Sequence, residues 1–377
     1  MNKVYQFTYT ISPIHGSESK QGWSIFNYSP CRTICFTPKS SFENFNLPTR
    51  NIYNIRFKKI NNSKIIICLG NFKQANSGFT WRLYFFLWVI KAQFFSLRLK
   101  NYQRIHYVNA SQIFAPFFLH LLKERVIYGP LGGQCIPWTS LLPFKINLKY
   151  FLLKITLGKL IKLVSYFRYP TYIVINQSLR GMLSKAAKAY IFTNTFQTPR
   201  KESVNYPKRS LVTFFGNRIP IKQPQLTKNL FKSLSKVYPQ YQFVIAGNNW
   251  EDYKSNNLRI FSELPQELVF KYLKETRLNI FLSLEMGGNI CLESCRFGAP
   301  SFCLEGFGAD IMLSPSKEFI TSIEEIESHG VEGLLRSIGN IIDNSESLSK
   351  ECESQYNNSL KNNEERIEQF LDQIYCD

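Results

Sequence analysis

Leu278-Asn279-Ile280-Phe281-Leu282-Ser283-Leu284-Glu285-Met286-Gly287-Gly288-Asn289-Ile290-Cys291-Leu292-Glu293, with Gly298-Ala299-Pro300 soon after, is the stretch on which the fold turns. The run Leu278–Leu282, apolar except for Asn279, is strand length and shows no helical period. Past the glycines the spacing changes, and Ile290–Phe297 reads as a helix. A strand, a Gly-rich turn and a helix in that order are the repeating step of an open α/β sheet. Glycines at such a turn let backbone N–H groups approach a ligand, and the helix N-terminus offers partial positive charge to a phosphate. Glu285 and Glu293 flank the turn eight positions apart, one at the strand's end and one a turn inside the helix. Two solvated acids on a simple turn would look the same on spacing alone.

The same alternation extends on both sides. Leu211–Phe215 reads as a strand, Leu226–Val237 as an amphipathic helix and Phe243–Ala246 as a strand ending at Gly247. Strand Leu258–Phe261, helix Gln266–Thr276 and, beyond the opening stretch, strand Ser301–Leu304 continue it. Strands separated by helical patterns predict βαβ units and a parallel, doubly wound sheet. In the first half Ile65–Leu69, Val126–Tyr128 and Tyr172–Ile175 read as buried strands and Ser178–Tyr190 as a helix. The basic, aromatic-rich stretches Trp81–Arg104 and Leu142–Arg168 read as amphipathic helices. The polar, Pro-containing segment Thr198–Arg209 is the expected linker, and Ile367, Phe370, Leu371 and Ile374 give the tail a helical spacing.

The chain has 377 residues, enough for two domains, and 44% of them are hydrophobic. Its net charge of +19 is unevenly shared: residues 1–200 hold 27 Lys and Arg against 3 acids, while the remainder is slightly acidic. Only the first half is expected to seek an anionic surface. A nucleic-acid partner would suit the charge, but the basic residues lie among amphipathic apolar stretches and no nucleic-acid module is recognisable. The N-terminus lacks the apolar core of a signal peptide, and the longest apolar run, Leu83–Ile90, is far short of the roughly 20 residues of a membrane span. A cytoplasmic protein, peripheral at the inner face of the plasma membrane, is expected. The nine cysteines include the pairs Cys31/Cys35 and Cys291/Cys295, with three intervening residues and no nearby histidine. They read as reduced, buried thiols and not as a zinc site.

Several segments together resemble family 4 glycosyltransferases. The stretch from Ser283 to Glu293 is similar to that family's Glu-x7-Glu motif. Phe214-Phe215-Gly216-Asn217-Arg218-Ile219-Pro220-Ile221-Lys222 is similar to the Gly-Arg-Leu-x-Pro-x-Lys loop that opens its second domain. Tyr241–Gly247 resembles the next strand, and Leu264–Leu268 the following helix start. His15-Gly16-Ser17-Glu18 with Gly22-Trp23, and Gly129-Pro130-Leu131-Gly132-Gly133 with Pro137, resemble the Gly-Ser-Glu and Gly-Pro-x-Gly-Gly loops of a bacterial polysaccharide-biosynthesis branch. His106 lies upstream of the latter in an Ile-His-Tyr context. The resemblance implies an α/β, GT-B fold: two Rossmann-like doubly wound domains facing across a cleft. It places an acceptor-binding domain at 1–205, a nucleotide-sugar-binding domain at 206–350, and a C-terminal helix within 351–377 crossing back to the first.

The implied reaction is retaining glycosyl transfer from a nucleotide-diphosphate-sugar to a lipid-linked or polysaccharide acceptor in cell-surface glycan synthesis, such as lipopolysaccharide. No separate cofactor and no metal are implied, and no Asp-x-Asp metal motif is present. Glu285 and His106 would then be catalytic or acceptor-side residues. Gly16, Ser17, Arg218, Lys222, Gly287, Gly288, Asn289 and Glu293 would hold the donor. Lys222 taken alone is a surface lysine, and His106 taken alone is a core histidine. Asn217 stands where the family loop carries an arginine, and Arg218 lies one position later. A catalytically impaired sugar-nucleotide-binding homologue and a sugar-nucleotide epimerase therefore stand as alternatives, with a basic nucleic-acid-binding protein behind them.

Overall fold

In the computed structural model the described residues are 3–9, 11, 17–38, 50–52, 55–61, 63–69, 78–99, 103–108, 125–131, 136, 138–167, 171–174, 180, 183, 188–192, 210–284, 289–307, 317–345, 348–360 and 363–376. The chain divides into two compact units. One comprises Met1–Cys135, Leu153–Thr198 and Asn362–Asp377; the other comprises Ile136–Leu152 and Pro199–Lys361. The expected linker Thr198–Arg209 lies outside the described residues.

Among the described residues the first unit is built on nine strands: β1 (Lys3–Thr8), β2 (Arg32–Thr37), β3 (Arg50–Ile52), β4 (Ile55–Asn61), β5 (Lys64–Cys68), β6 (Arg104–Val108), β7 (Val126–Leu131), β8 (Thr171–Val174) and β9 (Lys188–Ile191). Their order is β3-β4-β5-β2-β1-β6-β7-β8-β9, parallel from β5 to β9. The helices are α1 (Ser17–Asn27), α2 (Gly78–Leu97) and α3 (Phe144–Phe167), the last running on from the second unit, and the C-terminal helix named below. A row of rings crosses five strands: Phe36 stacks on Phe7 at 5.0 Å, Phe7 on Tyr107 at 5.1 Å, Tyr107 on Tyr128 at 5.8 Å and Tyr128 on Tyr172 at 5.9 Å. Each pair consists of register partners, so the row fixes strand register as cross-strand aromatic pairs do.

Two expectations for this unit are corrected. Lys188–Tyr190 was expected at the end of a helix, but it pairs with Thr171–Ile173 as an edge strand. The Lys- and Ala-rich composition favours helix locally, and the open ladder of β8 overrides it. Arg104 was expected to close a helix beginning at Trp81. The helix ends at Leu97, and Arg104 opens β6, its guanidinium donating to the Ile374 carbonyl at 3.1 Å.

Among the described residues the second unit has seven strands: β10 (Leu211–Phe215), β11 (Gln242–Ala246), β12 (Tyr253–Lys254), β13 (Leu258–Phe261), β14 (Thr276–Phe281), β15 (Ser301–Leu304) and β16 (Ile320–Thr321). The order is β12-β13-β11-β10-β14-β15-β16, parallel except for β12. Its helices are α4 (Pro224–Val237), α5 (Gln266–Glu275), α6 (Asn289–Arg296), α7 (Ile323–Ile342) and α8 (Ser349–Leu360). Helix α4 starts on Pro224, whose missing N–H costs nothing there, and buries Thr227, Leu230, Phe231 and Leu234 on one side. Ser322 caps α7 by accepting the Glu325 N–H at 3.0 Å. These helices cover a core centred on Val212, Phe214, Phe243, Ile245, Leu278 and Ile280. The terminal helix α9 (Asn363–Cys376) belongs to the first unit, where Ile367, Leu371, Ile374 and Tyr375 pack against Val4, Ile127 and Ile173.

Candidate functional site

In the second unit the chain leaves β10 toward β11 on one side, while β14 flanks β10 on the other. The loops at the carboxyl ends of β10 and β14 therefore border a topological switch point, the position where open α/β sheets bind ligands. The β10 loop is tightly held. Gly216 N–H donates to the Ala246 carbonyl at 2.8 Å, and Arg218 N–H to the Asn248 carbonyl at 2.9 Å. The Asn217 side-chain oxygen accepts the Asn248 N–H at 3.1 Å, and Trp250 Nε1 donates to the Gly216 carbonyl at 2.8 Å. Gly247 has φ +151°, and a Cβ there would lie 2.3 Å from the Gly216 carbonyl oxygen. Only glycine lets these two strand ends approach so closely.

Residues Pro220–Lys222 then make one 3₁₀ turn, closed by Lys222 N–H to Ile219 O at 2.9 Å. The turn does not stand alone: Leu284 N–H donates to the Ile221 carbonyl at 2.8 Å. That bond ties the Lys222 turn to the loop leaving β14, so two segments separated by some sixty residues form one surface. Lys222 Nζ lies 5.9 Å from the centre of the Phe281 ring, at the last residue of β14. Its charge also reaches Cys291 in the first turn of α6, where it opposes burial, which pushes that thiol up to about 12. The Lys222 ammonium and the first turn of α6 thus both lie at the switch point. Together they can bind the oxygens of a phosphate.

Glu293 sits inside α6, only partly exposed, and pairs with Arg296 at 3.3 Å. Arg218 ion-pairs with Glu251 at 2.9 Å, in an exposed position. Asn289 opens α6, and its side chain lies outside the described residues, as do Glu285, Gly287 and Gly288 altogether. The structure thus brings together Lys222, Leu284 and the start of α6. Sequence reasoning missed Trp250 and Glu251, which hold the β10 loop from the β11 side; the Asn248-Asn249 turn after Gly247 was the available signal.

In the first unit the switch point falls between β1 and β6, and α1 follows β1. Gly16 lies outside the described residues, and Ser17 opens α1, its side chain also undescribed. Helix α1 is fixed to the sheet by Gln6, which donates to the Gly22 carbonyl at 2.9 Å. His106 lies within β6, fully buried. Its Nε2 is 3.0 Å from the Gly129 carbonyl and its Nδ1 2.7 Å from the Tyr375 hydroxyl. The carbonyl can only accept, so Nε2 carries the proton and Nδ1 accepts from Tyr375. Burial holds the ring's pKa down to about 4, so it is neutral at physiological pH. Of the two roles the sequence leaves for His106, this geometry is that of a core histidine. It joins α9 to the strand of the Gly129-Pro130 segment, whose loop residues Gly132 and Gly133 lie outside the described residues.

No protein-family profile matches the chain, and no curated protein matches it. Solved structures do. A sucrose-phosphate synthase from Thermosynechococcus elongatus matches with a TM-score of 0.62 at 12% identity, covering 100% of this chain and 98% of that one. A structure described as trehalose-6-phosphate from E. coli bound with UDP-2-fluoro glucose matches at 0.63 and 11% identity, covering 99% of both. The catalytic domain of starch synthase IV from Arabidopsis thaliana, bound to ADP and acarbose, matches at 0.62 and 10% identity, covering 100% of both. At such identities the likeness establishes the fold: α/β, GT-B, with two Rossmann-like domains.

Proposed function

We propose that the chain is a glycosyltransferase that moves a sugar from a nucleotide-diphosphate-sugar to an acceptor. The observation that carries this reading is the Leu284–Ile221 hydrogen bond, which joins the Lys222 turn to the Gly-rich loop at the switch point of the second sheet. Support comes from two matched structures of the same fold that hold UDP-2-fluoro glucose, and ADP with acarbose. In this account Lys222, the α6 N-terminus and the glycines Gly287 and Gly288 stabilise the negative charge that develops on the leaving diphosphate. Gly16 and Ser17 are proposed as donor-contacting residues on the family 4 resemblance alone. Glu285 faces the donor sugar, and Glu293 and Asn289 accept or donate hydrogen bonds to the nucleoside. His106 acts by holding the Gly129 segment and not by touching substrate.

The finer parts of the reading rest on the family 4 resemblance and on charge. They are retention of anomeric configuration, a donor site without a metal, a lipid-linked or polysaccharide acceptor in cell-surface glycan synthesis, and a cytoplasmic protein peripheral at an anionic membrane. Among the described residues no helix is long and apolar enough to cross a membrane. A second reading, a sugar-nucleotide-binding homologue with impaired transfer, is favoured by one observation: Arg218, the only arginine in the β10 loop, is engaged by Glu251.

Radiolabelled sugar transfer from a panel of nucleotide sugars to membrane extract tests the proposal. Wild type should label a product with at least one donor. Donor binding without transfer supports the impaired homologue, interconversion of the sugar nucleotide alone an epimerase, and absence of donor binding removes the proposal.

A further inference from the structure

The turn Trp138–Leu142 and the first half of α3 present a surface that the donor site does not use. Trp138 is 55% exposed and Phe144 67%, and Leu148, Phe151, Leu152 and Ile155 are exposed with them. Trp138 packs edge-on against Phe144 at 5.7 Å and against Phe151 at 5.8 Å. At about 100° per residue, the five α3 residues fall within an arc of about 100°. Lys145 and Lys149 border the arc on one side and Lys154 on the other. The opposite side of the helix is anchored, with Ile146 and Tyr150 against the core of the second unit. This helix is therefore apolar on two faces, and only one of them is covered among the described residues.

The exposed tryptophan is not a loose loop residue. Thr139 Oγ1 and Ser140 N–H both donate to the Glu327 carboxylate at 2.6 Å, which holds that carboxyl below its usual range. Asn147 Nδ2 donates to the Thr139 carbonyl at 2.6 Å and to the Leu142 carbonyl at 3.0 Å, while its oxygen accepts the Thr139 N–H at 3.2 Å. The turn is thus built to hold an aromatic side chain outward. Helix α2, in the first unit, repeats the pattern independently: Leu83, Phe86, Leu87 and Phe94 are exposed along one side, with the exposed Lys91 at its border.

We infer that the Trp138–α3 surface seats in the headgroup–acyl boundary of an anionic bilayer, lying on the membrane rather than crossing it. Residues 138–168 contain no acid. A second copy docked two-fold on this surface would therefore set lysines against lysines. A membrane carrying anionic lipid satisfies both parts of the pattern: apolar side chains enter the boundary, lysines meet the headgroups, and tryptophan prefers that depth. The inference deepens the membrane part of the proposed function, yet it stands on the exposed stripe and not on transferase activity.

The test is partition of the full chain onto vesicles of phosphatidylcholine, with and without about one third phosphatidylglycerol. Fluorescence quenching by brominated acyl chains is measured alongside. The protein has five tryptophans, of which Trp88 and Trp250 are buried. Wild type should bind the anionic vesicles, release with salt, and show quenching that Trp138→Phe removes. Replacing Phe144, Leu148, Phe151 and Leu152 together by Ser should lower partition at least tenfold while nucleoside-diphosphate binding is unchanged. Replacing Lys145, Lys149 and Lys154 by Gln should flatten the salt dependence. Wild-type partition in the serine variant, quenching that persists in Trp138→Phe, or equal binding to neutral vesicles would overturn the inference. So would a wild-type dimer that the serine variant dissolves without vesicle binding. Trp138→Phe is conservative enough to keep the test open if the quadruple variant does not fold. Nucleoside-diphosphate binding in every variant reports separately on the donor site.

Discussion

Two acids and one lysine carry most of the chemistry proposed for this chain, and one buried histidine holds a strand in place. Glu285→Ala and Glu293→Ala are each expected to cost about 2–4 kcal/mol of transition-state stabilisation, a factor of roughly 30 to 1,000 in turnover, with the fold intact. Steady-state kinetics with the active donor checks this, and near-normal turnover in both would remove them from the site. His106 gives a prediction of a different kind. Its folded pKa, about 4, lies below the ordinary histidine value of 6.5. The unfolded chain therefore takes up a proton between those values and the folded chain does not. The stabilising contribution is present above about pH 6.5 and is lost as pH falls toward 4. Between pH 7 and pH 4.5 it should amount to about 2–3 kcal/mol. Urea unfolding of wild type and His106→Gln at both pH values measures it: the variant, though less stable at pH 7, should lose less on acidification. The sequence left His106 open between two roles because an isolated histidine in an apolar context carries no record of its partners. Tyr375, which binds it, lies 269 residues away.

At the scale of elements, the loop after β10 depends on one close approach. Gly247→Ala must place a Cβ against the Gly216 carbonyl in a backbone region L-residues rarely adopt. It should destabilise the second unit by about 2–4 kcal/mol and weaken donor binding together with it. Thermal unfolding beside ligand titration tests this; a variant as stable as wild type would show that the loop relaxes freely. The second sheet was legible because its strands are short, mostly apolar runs, as in Phe243–Ala246 and Leu278–Leu282, separated by clean helical spacing. Strands β1 and β2 were not. Both are buried along nearly their whole length, yet they carry Gln6, Thr8, Thr33 and Thr37 inside. Three of them are accommodated by local bonds, Gln6 to Thr8 at 2.8 Å and Thr33 to Ser29 at 2.7 Å, while Thr37 Oγ1 is buried without a hydrogen-bond partner among the described residues. Such bonds make a polar residue tolerable in a core while erasing the period a reader relies on. In the candidate site the sequence singled out Lys222 through its motif, and the structure ties its turn to Leu284. The pairing of Arg218 with Glu251 was not visible, since it depends on how the β11 loop folds back.

For the whole molecule, an uneven charge is laid over two units of one architecture. The basic first half and the exposed stripes of α2 and α3 suit a surface, and the switch point of the second sheet suits a phosphate-bearing ligand. The central claim is that this switch point is a diphosphate site built on Lys222. Calorimetric titration of a panel of nucleoside diphosphates, and of the matching free nucleosides, into wild type and Lys222→Ala tests it most directly. Arg218→Ala serves as a companion that shows whether the displaced arginine shares the load. The account predicts that at least one diphosphate binds wild type, and that Lys222→Ala weakens it by about 10- to 100-fold, the loss of a charged hydrogen bond, while the nucleoside is unaffected. An equal loss for diphosphate and nucleoside, or no diphosphate binding to wild type, would contradict it.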